Sequence, residues 1–400
     1  MGVTPRPAFR ILRLGSKSNP TMRPDLSSIV LTGIYPWANS TFDRLLPRPL
    51  MPVAHRPLIS FALSWLRQGG IDRVAVCANR ETRALQTRLL PHVPPGMRLS
   101  YFEDPMPRGA AGSARDAASA DEAGTFVVAD GSAIPTVDLK ELVLNHRASG
   151  AAATVVVHSE SRGSGNPGLQ VPAGIYVFER RALEAVPTRG FFDIKEHLIP
   201  RLRRSGEKVR TFSTRGAIPR VMSAQTYLAV CDFVVDHLVA ADEVPDGYTR
   251  VGDSLVHHQA FVAHDAAVVG PVLIGPGAQI MSGATVIGPT SLGRDVTISS
   301  GALVSRSAVW RRSTIAERSV ADRCILADDT VLEADQRAFR SVIAGNRSRE
   351  YTVPAVTQPV GVPTPAPAFR LSSGTNRWLT SPPWARMWRR DAGLASISRF

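Results

Sequence analysis

The chain has 400 residues, of which 44% are hydrophobic and 20% are charged, a balance typical of a soluble globular protein. This length predicts two or three domains rather than one. The formal net charge of +13 suits an anionic partner, but no RNA- or DNA-binding motif accompanies it, so we do not expect nucleic acid as the partner. Three widely spaced cysteines without a CxxC pair argue against a disulfide framework or a cysteine-bound metal.

Residues 1–25 form a basic N-terminal extension with almost no acidic residues. They lack the apolar segment of a signal peptide, and no run of about 18 apolar residues occurs anywhere in the chain. We therefore expect a cytoplasmic protein without a membrane span. The basic residues of this extension are Arg6, Arg10, Arg13, Lys17 and Arg23.

Residues 26–240 alternate apolar strands with amphipathic helices. This alternation predicts an α/β doubly wound, Rossmann-like domain with a mostly parallel sheet and a ligand cleft at the carboxyl ends of its strands. A linker at 241–255 follows. Strands are predicted at 29–33, 73–78, 97–104, 125–130, 151–158, 174–179 and 208–213, and helices at 57–69, 82–90, 138–150 and 224–240.

Residues 256–345 change to a period of six. Eight aliphatic residues follow one another at intervals of six, with glycines between them. This period fits neither an α-helix nor a flat sheet, and it predicts a left-handed parallel β-helix built from hexapeptide repeats, with three faces per coil. The spacing then loosens through Trp310, Ile315, Val320, Ile325 and Val331. The eight aliphatic residues are Val262, Val268, Ile274, Ile280, Val286, Leu292, Ile298 and Val304.

The C-terminal part is composed differently. Residues 346–376 are a Pro-rich linker, and residues 377–400 interleave tryptophan with arginine. Such a tail suits an anionic membrane surface, which would make the protein membrane-peripheral, or a groove on a partner protein. It could equally be a tail that packs back on the β-helix, and the sequence leaves these alternatives open.

Several motifs of the first domain recur in a known order. Leu31-Thr32-Gly33 is followed by Pro-Arg-Pro-Leu-Met-Pro-Val at 47–53, and then by Pro-Arg-Gly-Ala-Ala-Gly-Ser-Ala at 107–114. With the later segments 126–157, 173–187 and 192–212, this order resembles the sugar-1-phosphate nucleotidyltransferases, or NDP-sugar pyrophosphorylases, in particular the mannose-1-phosphate guanylyltransferase-like branch. The resemblance covers about residues 26–345.

The resemblance implies a reaction and a set of site residues. The family transfers a nucleotidyl group from an NTP to a sugar-1-phosphate and releases pyrophosphate, using a glycine-rich loop, a lysine and Mg²⁺ held by two aspartates. Arg48 occupies the lysine position, and Asp130, two positions before the place of a metal aspartate, is the candidate for a relocated metal ligand. Residues 107–114 are similar to the family's base- and sugar-side loop, so the resemblance implies a ligand loop there. The implied nucleotide- and sugar-binding positions are Gly33, Arg48, Gly109, Gly112, Asp130, Gly131 and Gly174.

Other motif positions depart from the family pattern. In the glycine loop, Ile34 and Pro36 replace two glycines and Ala38 replaces an arginine. Ser132 and Arg220 stand at or near the two metal aspartates, and an arginine cannot bind Mg²⁺. The usual asparagine before Ala173-Gly174 is Pro172, and the preceding hairpin is short.

These departures favour a nucleotidyltransferase-like pseudoenzyme, a regulatory, sensor or scaffold subunit in sugar-nucleotide or polysaccharide metabolism. No cofactor is then expected. The alternative is a divergent active transferase, which would require Mg²⁺. Expected partners are a nucleotide or nucleotide-sugar and further subunits, in a homo-oligomer or a hetero-oligomer with an active paralogue. Arg48, Arg108 and Arg220 would leave the cleft positive unless they pair with acids.

A third hypothesis rests on histidines. Hexapeptide β-helices also occur in acyltransferases that use a histidine base, and His257, His258 and His264 lie at the start of the repeats. They would otherwise be surface or cap residues. Isolated histidines such as His146 are expected to be solvated or capping, and Asp193 is expected to start a helix.

Overall fold

The computed structural model describes residues 25–33, 41–78, 82–104, 107–160, 169–214 and 216–345. The chain divides between Val230 and Cys231 into two compact units. The extension up to residue 24, the Pro-rich linker and the Trp/Arg tail lie outside the described residues. No helix in the described ranges is long and apolar enough to cross a membrane.

The first unit is built on a seven-stranded sheet with the order β5-β4-β1-β6-β8-β7-β9. β8 runs antiparallel to both of its neighbours, and the other neighbouring strands are parallel. The predicted mostly parallel sheet is therefore confirmed. Its strands, with the small β2–β3 hairpin, are β1 (Leu26–Leu31), β2 (Pro52–Val53), β3 (Arg56–Pro57), β4 (Arg73–Ala78), β5 (Arg98–Glu103), β6 (Thr125–Asp130), β7 (Ala153–Glu160), β8 (Leu169–Glu179) and β9 (Val209–Thr214).

Helices cover both faces of this sheet, because two separate apolar clusters flank it, one packed with α2 and α5 and the other with α4, α6 and α7. The α-helices are α1 (Thr41–Leu45), α2 (Ile59–Gln68), α3 (Thr82–Leu89), α4 (Gly109–Ser119), α5 (Leu139–Ser149), α6 (Arg180–Glu184), α7 (Ile199–Arg204) and α8 (Ala224–Ala240). Three short turns of helix, two of 3₁₀ and one of π type, are Arg48–Leu50, Leu90–His92 and Ile194–Leu198.

The ends of α5 illustrate how the sequence sets these boundaries. The Asp138 carboxylate accepts hydrogen bonds from the backbone N–H groups of Lys140 and Glu141 at 2.8 and 3.0 Å. At the other end, Gly150 adopts a left-handed φ of 61° that an L-residue with a side chain rarely takes. The helix therefore begins and ends where the sequence pattern places it.

The segment 107–114, which sequence analysis took for a ligand loop, is mostly helical. α4 begins at Gly109 and continues to Ser119, with Ala111, Ala114 and Ala117 buried against the sheet. Alanine is the best helix former, and its small side chain lets α4 pack closely on β1 and β4. The loop expectation was therefore wrong beyond the first two residues.

The second unit contains three stacked parallel sheets, which confirms the predicted left-handed β-helix. Only the first strand, β10, is antiparallel to its neighbour. The strands are β10 (Tyr248–Val251), β11 (Ser254–His257), β12 (Phe261–Val262), β13 (Ala267–Val269), β14 (Val272–Ile274), β15 (Gln279–Ile280), β16 (Thr285–Ile287), β17 (Thr290–Leu292), β18 (Thr297–Ile298), β19 (Leu303–Ser305), β20 (Ala308–Val309), β21 (Thr314–Ile315), β22 (Val320–Asp322), β23 (Ile325–Leu326), β24 (Val331–Leu332), β25 (Arg337–Phe339) and β26 (Val342–Ile343).

The six-residue period correctly predicts the interior of the first coils. The six aliphatic residues from Ile274 to Val304 are completely buried, while Val262 and Val268 at the open first coil are partly buried. Beyond Val304 the predicted positions are mostly wrong. The interior residues there are Val309, Ile315, Ala321, Leu326, Leu332, Ala338 and Ile343, so that of the predicted set only Ile315 points inward.

A shorter coil explains this error. Ile287 pairs with Ser305, and Ser291 pairs with Ala308. The first residues of these two pairs are four apart in the chain, whereas their partners are three apart, so the later coil is one residue shorter at this corner. Later coils keep the shorter path, and the interior spacing becomes five, six and six residues. The loosened period therefore reflects a corner that is one residue shorter, repeated in each later coil.

Candidate functional site

A cleft of the first unit lies at the carboxyl ends of its central strands, as predicted. It has a volume of about 390 Å³ and is lined by Leu31 at the end of β1, Thr32 after it, Cys77 on β4 and Asp130 on β6. Parallel strands leave their last residues and the following turns at one edge of a sheet, where ligands bind in such folds.

Five of the seven predicted binding residues line this cleft. Gly112 and Gly131 do not; their N–H groups instead donate to the carbonyls of Phe192 and Leu31, at 3.2 and 2.9 Å. Ile34, Pro36 and Ala38, the altered glycine-loop positions, lie outside the described residues. The five lining residues are Gly33, Arg48, Gly109, Asp130 and Gly174.

The Asp130 carboxylate uses both of its oxygens within the protein. Oδ1 accepts hydrogen bonds from the Ser132 backbone N–H at 2.8 Å and from the Ser132 hydroxyl at 2.6 Å. Oδ2 forms an ion pair with the Arg220 guanidinium. The side chains of Asp130 and Arg220 are only 19% and 30% exposed, so the pair is partly shielded from water.

Backbone pairing brings Arg220 to Asp130 from a distant part of the chain. Ala133 and Arg220 form an isolated antiparallel bridge. On either side of it, the Ile134 N–H donates to the Pro219 carbonyl at 2.8 Å, and the Val221 N–H donates to the Ser132 carbonyl at 2.9 Å. The residues that sequence analysis placed at the two metal aspartates, Ser132 and Arg220, thus meet on the same carboxylate.

Gly174 on β8 lies directly against this ion pair. Its φ is +80°, and a Cβ at this position would approach Asp130 Cβ to 3.1 Å and Arg220 Cζ to 3.8 Å. Both the backbone conformation and the available space therefore require glycine here.

Arg48, at the predicted lysine position, is also engaged. Its Nη2 forms an ion pair of 2.8 Å with Asp43 on α1, and the two side chains are 16% and 6% exposed. The guanidinium still lines the cleft, but Asp43 balances its charge.

Arg108 does not line the cleft, contrary to the hypothesis that it contributes positive charge there. It is buried and bonds to Asp116 Oδ2 at 2.8 Å and to the carbonyls of Gly190 and Pro187 at 2.6 and 2.9 Å. Its own carbonyl accepts the Phe192 N–H at 2.8 Å. Arg108 therefore holds the segment 187–192 against α4, where a Cβ on Gly109 would collide with the Phe192 carbonyl.

This anchored segment leads to a cleft residue that sequence analysis did not identify. Lys195 lines the cleft, and burial followed by repulsion from Arg220 lowers the pKa of its ammonium group. Asp193 starts the turn, as expected, by accepting the N–H groups of Lys195 and Glu196 at 2.7 and 3.1 Å. No sequence pattern identifies Lys195 as a cleft residue, because its position depends on the tertiary contacts that Arg108 makes with the preceding segment.

Tyr176 on β8 is a second lining residue that the sequence did not reveal. Burial raises the pKa of its hydroxyl above the usual range, so it remains protonated. Phe191 and Met222 complete an apolar wall beside it. All three are apolar or aromatic residues whose sequence neighbourhood resembles that of ordinary core residues.

Comparisons with known proteins agree with this architecture. Residues 43–166 match the family model described as nucleotidyl transferase. The mannose-1-phosphate guanylyltransferase of Mycobacterium tuberculosis is 23% identical over 258 residues, which cover 58% of this chain and 70% of that protein. These matches support the resemblance of the chain to the sugar-1-phosphate nucleotidyltransferases.

A second relative and a solved structure extend the comparison. The UTP–glucose-1-phosphate uridylyltransferase of a Synechocystis species is 27% identical over 197 residues, or 40% of this chain, and the match spans only 51% of that relative's length. The crystal structure of HddC from Yersinia pseudotuberculosis has a TM-score of 0.44 and 15% identity, and covers 52% of this chain and 99% of that chain.

The described residues of this cleft do not fit the divalent cation that the resemblance implies. Mg²⁺ requires several oxygen ligands, usually carboxylates, around one point. Both carboxylate oxygens of Asp130 are already bonded, one to Ser132 and the other to Arg220. The Asp193 carboxylate caps a turn. Within the described ranges, no cluster of three or more histidine, cysteine or acidic residues could hold a metal.

Nor is the cleft strongly positive. Among its described lining residues, three are basic and three are acidic, so their formal charges cancel. Arg48 and Arg220 each pair with an acid, and Arg108 pairs with Asp116 outside the cleft. The hypothesis of unpaired arginines is therefore wrong for all three. The charged lining residues are Arg48, Lys195, Arg220, Asp130, Asp193 and Glu196.

The three histidines of the acyltransferase hypothesis occupy ordinary positions at the start of the β-helix. His257 packs edge-on against Tyr248 at 5.0 Å between ring centroids, and its ring accepts the Gln259 N–H at 3.1 Å. His258 Nε2 lies 3.1 Å from the Thr249 hydroxyl. The His264 side chain is 98% exposed. These contacts match surface and cap roles, and none of them favours acyl transfer.

Proposed function

We propose that this protein is a non-catalytic member of the sugar-1-phosphate nucleotidyltransferase family, acting as a regulatory, sensor or scaffold subunit in sugar-nucleotide metabolism. The observation that carries the proposal is the Asp130–Arg220 ion pair, reinforced by Ser132. Arg220 binds the Asp130 carboxylate at the place where a cation-dependent transferase needs a metal ligand.

The chemistry of nucleotidyl transfer explains why this matters. Transfer to a sugar phosphate is catalysed by positioning and by neutralising charge on the transferred phosphoryl group. Losing a single electrostatic contact at such a site costs about 100- to 1000-fold in rate. Here Arg220 replaces a carboxylate, Ser132 replaces another, and the Arg48 charge is balanced by Asp43. These changes together support an inactive cleft.

The alternative is a divergent active transferase, which Gly33, the positive charge at Arg48 and the carboxylate of Asp130 support. An assay of pyrophosphate release decides between the two, with each common NTP combined with glucose 1-phosphate or mannose 1-phosphate in excess MgCl₂. The Mycobacterium relative provides the positive control. We expect no release above that of the Asp130→Asn variant. Release well above that baseline would refute the proposal.

We further propose that the protein associates with a second copy of itself through the first coil of its β-helix. In the described part of the chain, β12 and β13 are edge strands, so the backbone groups of Val262 and Val268 face an open end. Phe261 and Val269 beside them are 55% and 56% exposed. The ends of a solenoid and its free strand edges are usually capped or protected. A second copy related by a two-fold axis presents an end of the same shape.

A matched pair of variants tests this association. Phe261 at the first coil and Phe339 at the last coil are almost equally exposed, at 55% and 54%. We expect Phe261→Lys to give a monomer in size-exclusion chromatography with light scattering, while wild type and Phe339→Lys remain oligomeric. A monomeric wild-type protein, or equal effects of the two variants, would contradict the proposed interface.

A further inference from the structure

One corner of the β-helix carries an arginine in each of three successive coils. Arg306, Arg323 and Arg340 follow one another at intervals of 17 residues, with left-handed φ angles of 45°, 52° and 48°. The Arg323 N–H donates to the Ser305 carbonyl at 2.9 Å, and the Arg340 N–H donates to the Asp322 carbonyl at the same distance. These three residues, the arginine column, are therefore stacked along the solenoid axis about 4.8 Å apart.

At the other two corners, arginine is followed by aspartate in the next coil. Arg312 bonds through Nε and Nη2 to both carboxylate oxygens of Asp329 at 2.6 Å. Arg318 bonds in the same way to Asp335 at 2.8 Å. Arg312 and Arg318 share the left-handed φ of the arginine column, so the corner conformation does not account for a run of arginines. Because like charges on stacked residues are unfavourable, the stability of the β-helix does not explain the column either.

The last coil places a further charge and an aromatic ring beside the column. Strand β25 has a buried Ala338 between the exposed Arg337 and Phe339, so these two side chains lie on the same outer face. Phe339 is 54% exposed and directly precedes Arg340. A single exposed ring is common on protein surfaces, but a ring with an arginine on either side has the composition of a site at a membrane interface.

Arg306, at the N-terminal end of the column, has an acidic neighbour on α8. Burial and the nearby Asp236 raise the pKa of the Asp232 carboxyl to about 7, and Arg306 opposes this rise. The charge of Arg306 is therefore partly balanced within the second unit.

The C-terminal end of the column keeps an excess of positive charge. Arg323 lies 3.7 Å from Asp322, which is beyond hydrogen-bond distance. Arg337 and Arg340 form no ion pair with another described residue. This end, the basic–aromatic patch, thus sets three arginines against one aspartate. The patch consists of Arg323, Arg337, Phe339 and Arg340.

The sequence that follows the last coil repeats the composition of this patch. Residues 377–400 interleave three tryptophans with five arginines and contain a single acidic residue, Asp391. Tryptophan is enriched where lipid headgroups meet the acyl chains, and basic residues are attracted to anionic headgroups. The structure of the β-helix and the sequence of the tail therefore indicate the same partner through different residues.

We propose that the basic–aromatic patch docks on a lipid bilayer with anionic headgroups. Arg323, Arg337 and Arg340 bind the headgroup phosphates, since a guanidinium forms charge-assisted and often bidentate hydrogen bonds with phosphate oxygens. The Phe339 ring inserts at the level of the headgroups. This inference goes beyond the proposed function, because it concerns the β-helix and does not depend on whether the cleft is catalytic.

Co-sedimentation of the full chain with lipid vesicles tests the proposal. The vesicles consist of phosphatidylcholine alone or of an equimolar mixture with phosphatidylglycerol, at low and at high salt. We expect the protein to sediment only with the mixed vesicles and to bind them less tightly at high salt, which screens exposed charges. Absence of binding to the mixed vesicles, or equal binding to both kinds, overturns the inference.

A triple variant assigns the binding to the patch. Arg323→Asn/Arg337→Asn/Arg340→Asn removes its three positive charges, and asparagine tolerates the left-handed φ at positions 323 and 340. We expect binding to the mixed vesicles to weaken about 100-fold, because each basic residue near an anionic surface contributes about 5-fold.

The matched control is Arg311→Asn/Arg312→Asn/Arg318→Asn. It removes the same charge from the other two corners, where each arginine has an acidic partner, and it also includes two left-handed positions. We expect it to weaken binding by less than about 5-fold. Equal losses in the two triple variants would mean that net charge attracts the protein, and an unaffected patch variant would assign the binding to the tail. Either result overturns the patch.

A variant of the aromatic ring distinguishes a bilayer from a soluble polyanion. Phe339→Ser keeps every charge, and we expect several-fold weaker binding to the mixed vesicles, because the ring leaves water when it inserts. Leu144→Ser on α5 is the control, since this side chain is 68% exposed, and it should leave binding unchanged. If Phe339→Ser binds vesicles as wild type does, or if dextran sulfate binds the protein while the mixed vesicles do not, the lipid assignment is wrong.

Discussion

Arginine–aspartate pairs occur in both units of the molecule, but in different surroundings. In the cleft, the side chains of Arg220 and Asp130 are 30% and 19% exposed, whereas at a β-helix corner those of Arg312 and Asp329 are 47% and 59% exposed. Water screens the corner pair, so it stabilises little, while loss of one partner in the cleft leaves a partly buried charge. An arginine–aspartate pair is therefore a solvated surface contact in the β-helix, whereas in the cleft it is part of the structure of the site.

The largest expected effect tests whether the β-helix depends on its interior and not on its corner pairs. Ile298 is completely buried and stacks between Ile280 and Ile315. We expect Ile298→Ala to lower the free energy of unfolding by about 2–5 kcal/mol, through lost burial and a cavity. Urea unfolding measures it. The control is Thr297→Ala on the outer face, and an equal loss in both variants would contradict the comparison.

The next effect concerns the cleft pair itself. Arg220→Ala leaves the Asp130 carboxylate partly buried without its cation, and we expect a loss of about 1–3 kcal/mol in unfolding free energy. A double-mutant cycle with Asp130→Asn isolates the coupling, because the loss should largely vanish once the carboxylate is gone. If Arg220→Ala lowers the unfolding free energy equally in the wild-type and the Asp130→Asn protein, the two side chains are not coupled. The contrast with the corner pair would then not hold.

A buried histidine gives a third effect, which depends on pH. His146 is 1% exposed and contacts Thr154 Oγ1 at 2.8 Å and Glu179 Oε1 at 3.0 Å, so the expectation of a solvated or capping residue was wrong. Burial lowers its pKa below the usual 6.5, despite the opposing hydrogen bond to Glu179. The unfolded chain then binds this proton more readily than the folded one.

His146 therefore stabilises the fold fully above pH 6.5, and this contribution is lost as the pH falls towards the lower folded pKa. The slope for a single proton is at most about 1.4 kcal/mol per pH unit. Urea unfolding between about pH 5 and pH 7 should show a smaller slope for His146→Gln than for wild type. Identical slopes would assign the pH dependence to other groups.

The smallest effect belongs to the corner pair. Arg312→Ala removes the 2.6 Å contacts to both Asp329 oxygens, yet both side chains are largely in water. We expect its unfolding midpoint to match that of wild type within error at physiological salt. A loss as large as that of Arg220→Ala would show that corner pairs hold the coils together and would remove the contrast between the two units.

Regular repetition made much of this structure predictable. The strands of the first unit follow apolar runs, and the interior of the early coils follows a fixed period that ends near Val304. The change at Ser305–Ala308 was not predictable, because a corner that is one residue shorter leaves no composition signal. α4 was missed for a related reason, since the glycines at its start suggested a loop although its alanines favour a helix.

The cleft was predictable only in part. The resemblance placed Asp130, Ser132 and Arg220 at or near the metal-binding positions of the family pattern, but only the fold could show that Ser132 and Arg220 both contact Asp130. The link runs through the Ala133–Arg220 bridge, which joins segments 87 residues apart in the chain. Lys195 depends on Arg108 in the same way. Long-range contacts of this kind leave no local pattern in the sequence.

The short corner between Ser305 and Ala308 also indicates how the β-helix tolerates length changes. A residue removed within a strand would turn every following side chain to the opposite face, whereas one removed at this corner leaves all three strand ladders in register. The same corner should accept an inserted tag or fluorescent label, and the rim of the solenoid thus offers an attachment point for reporters that spares its hydrophobic axis.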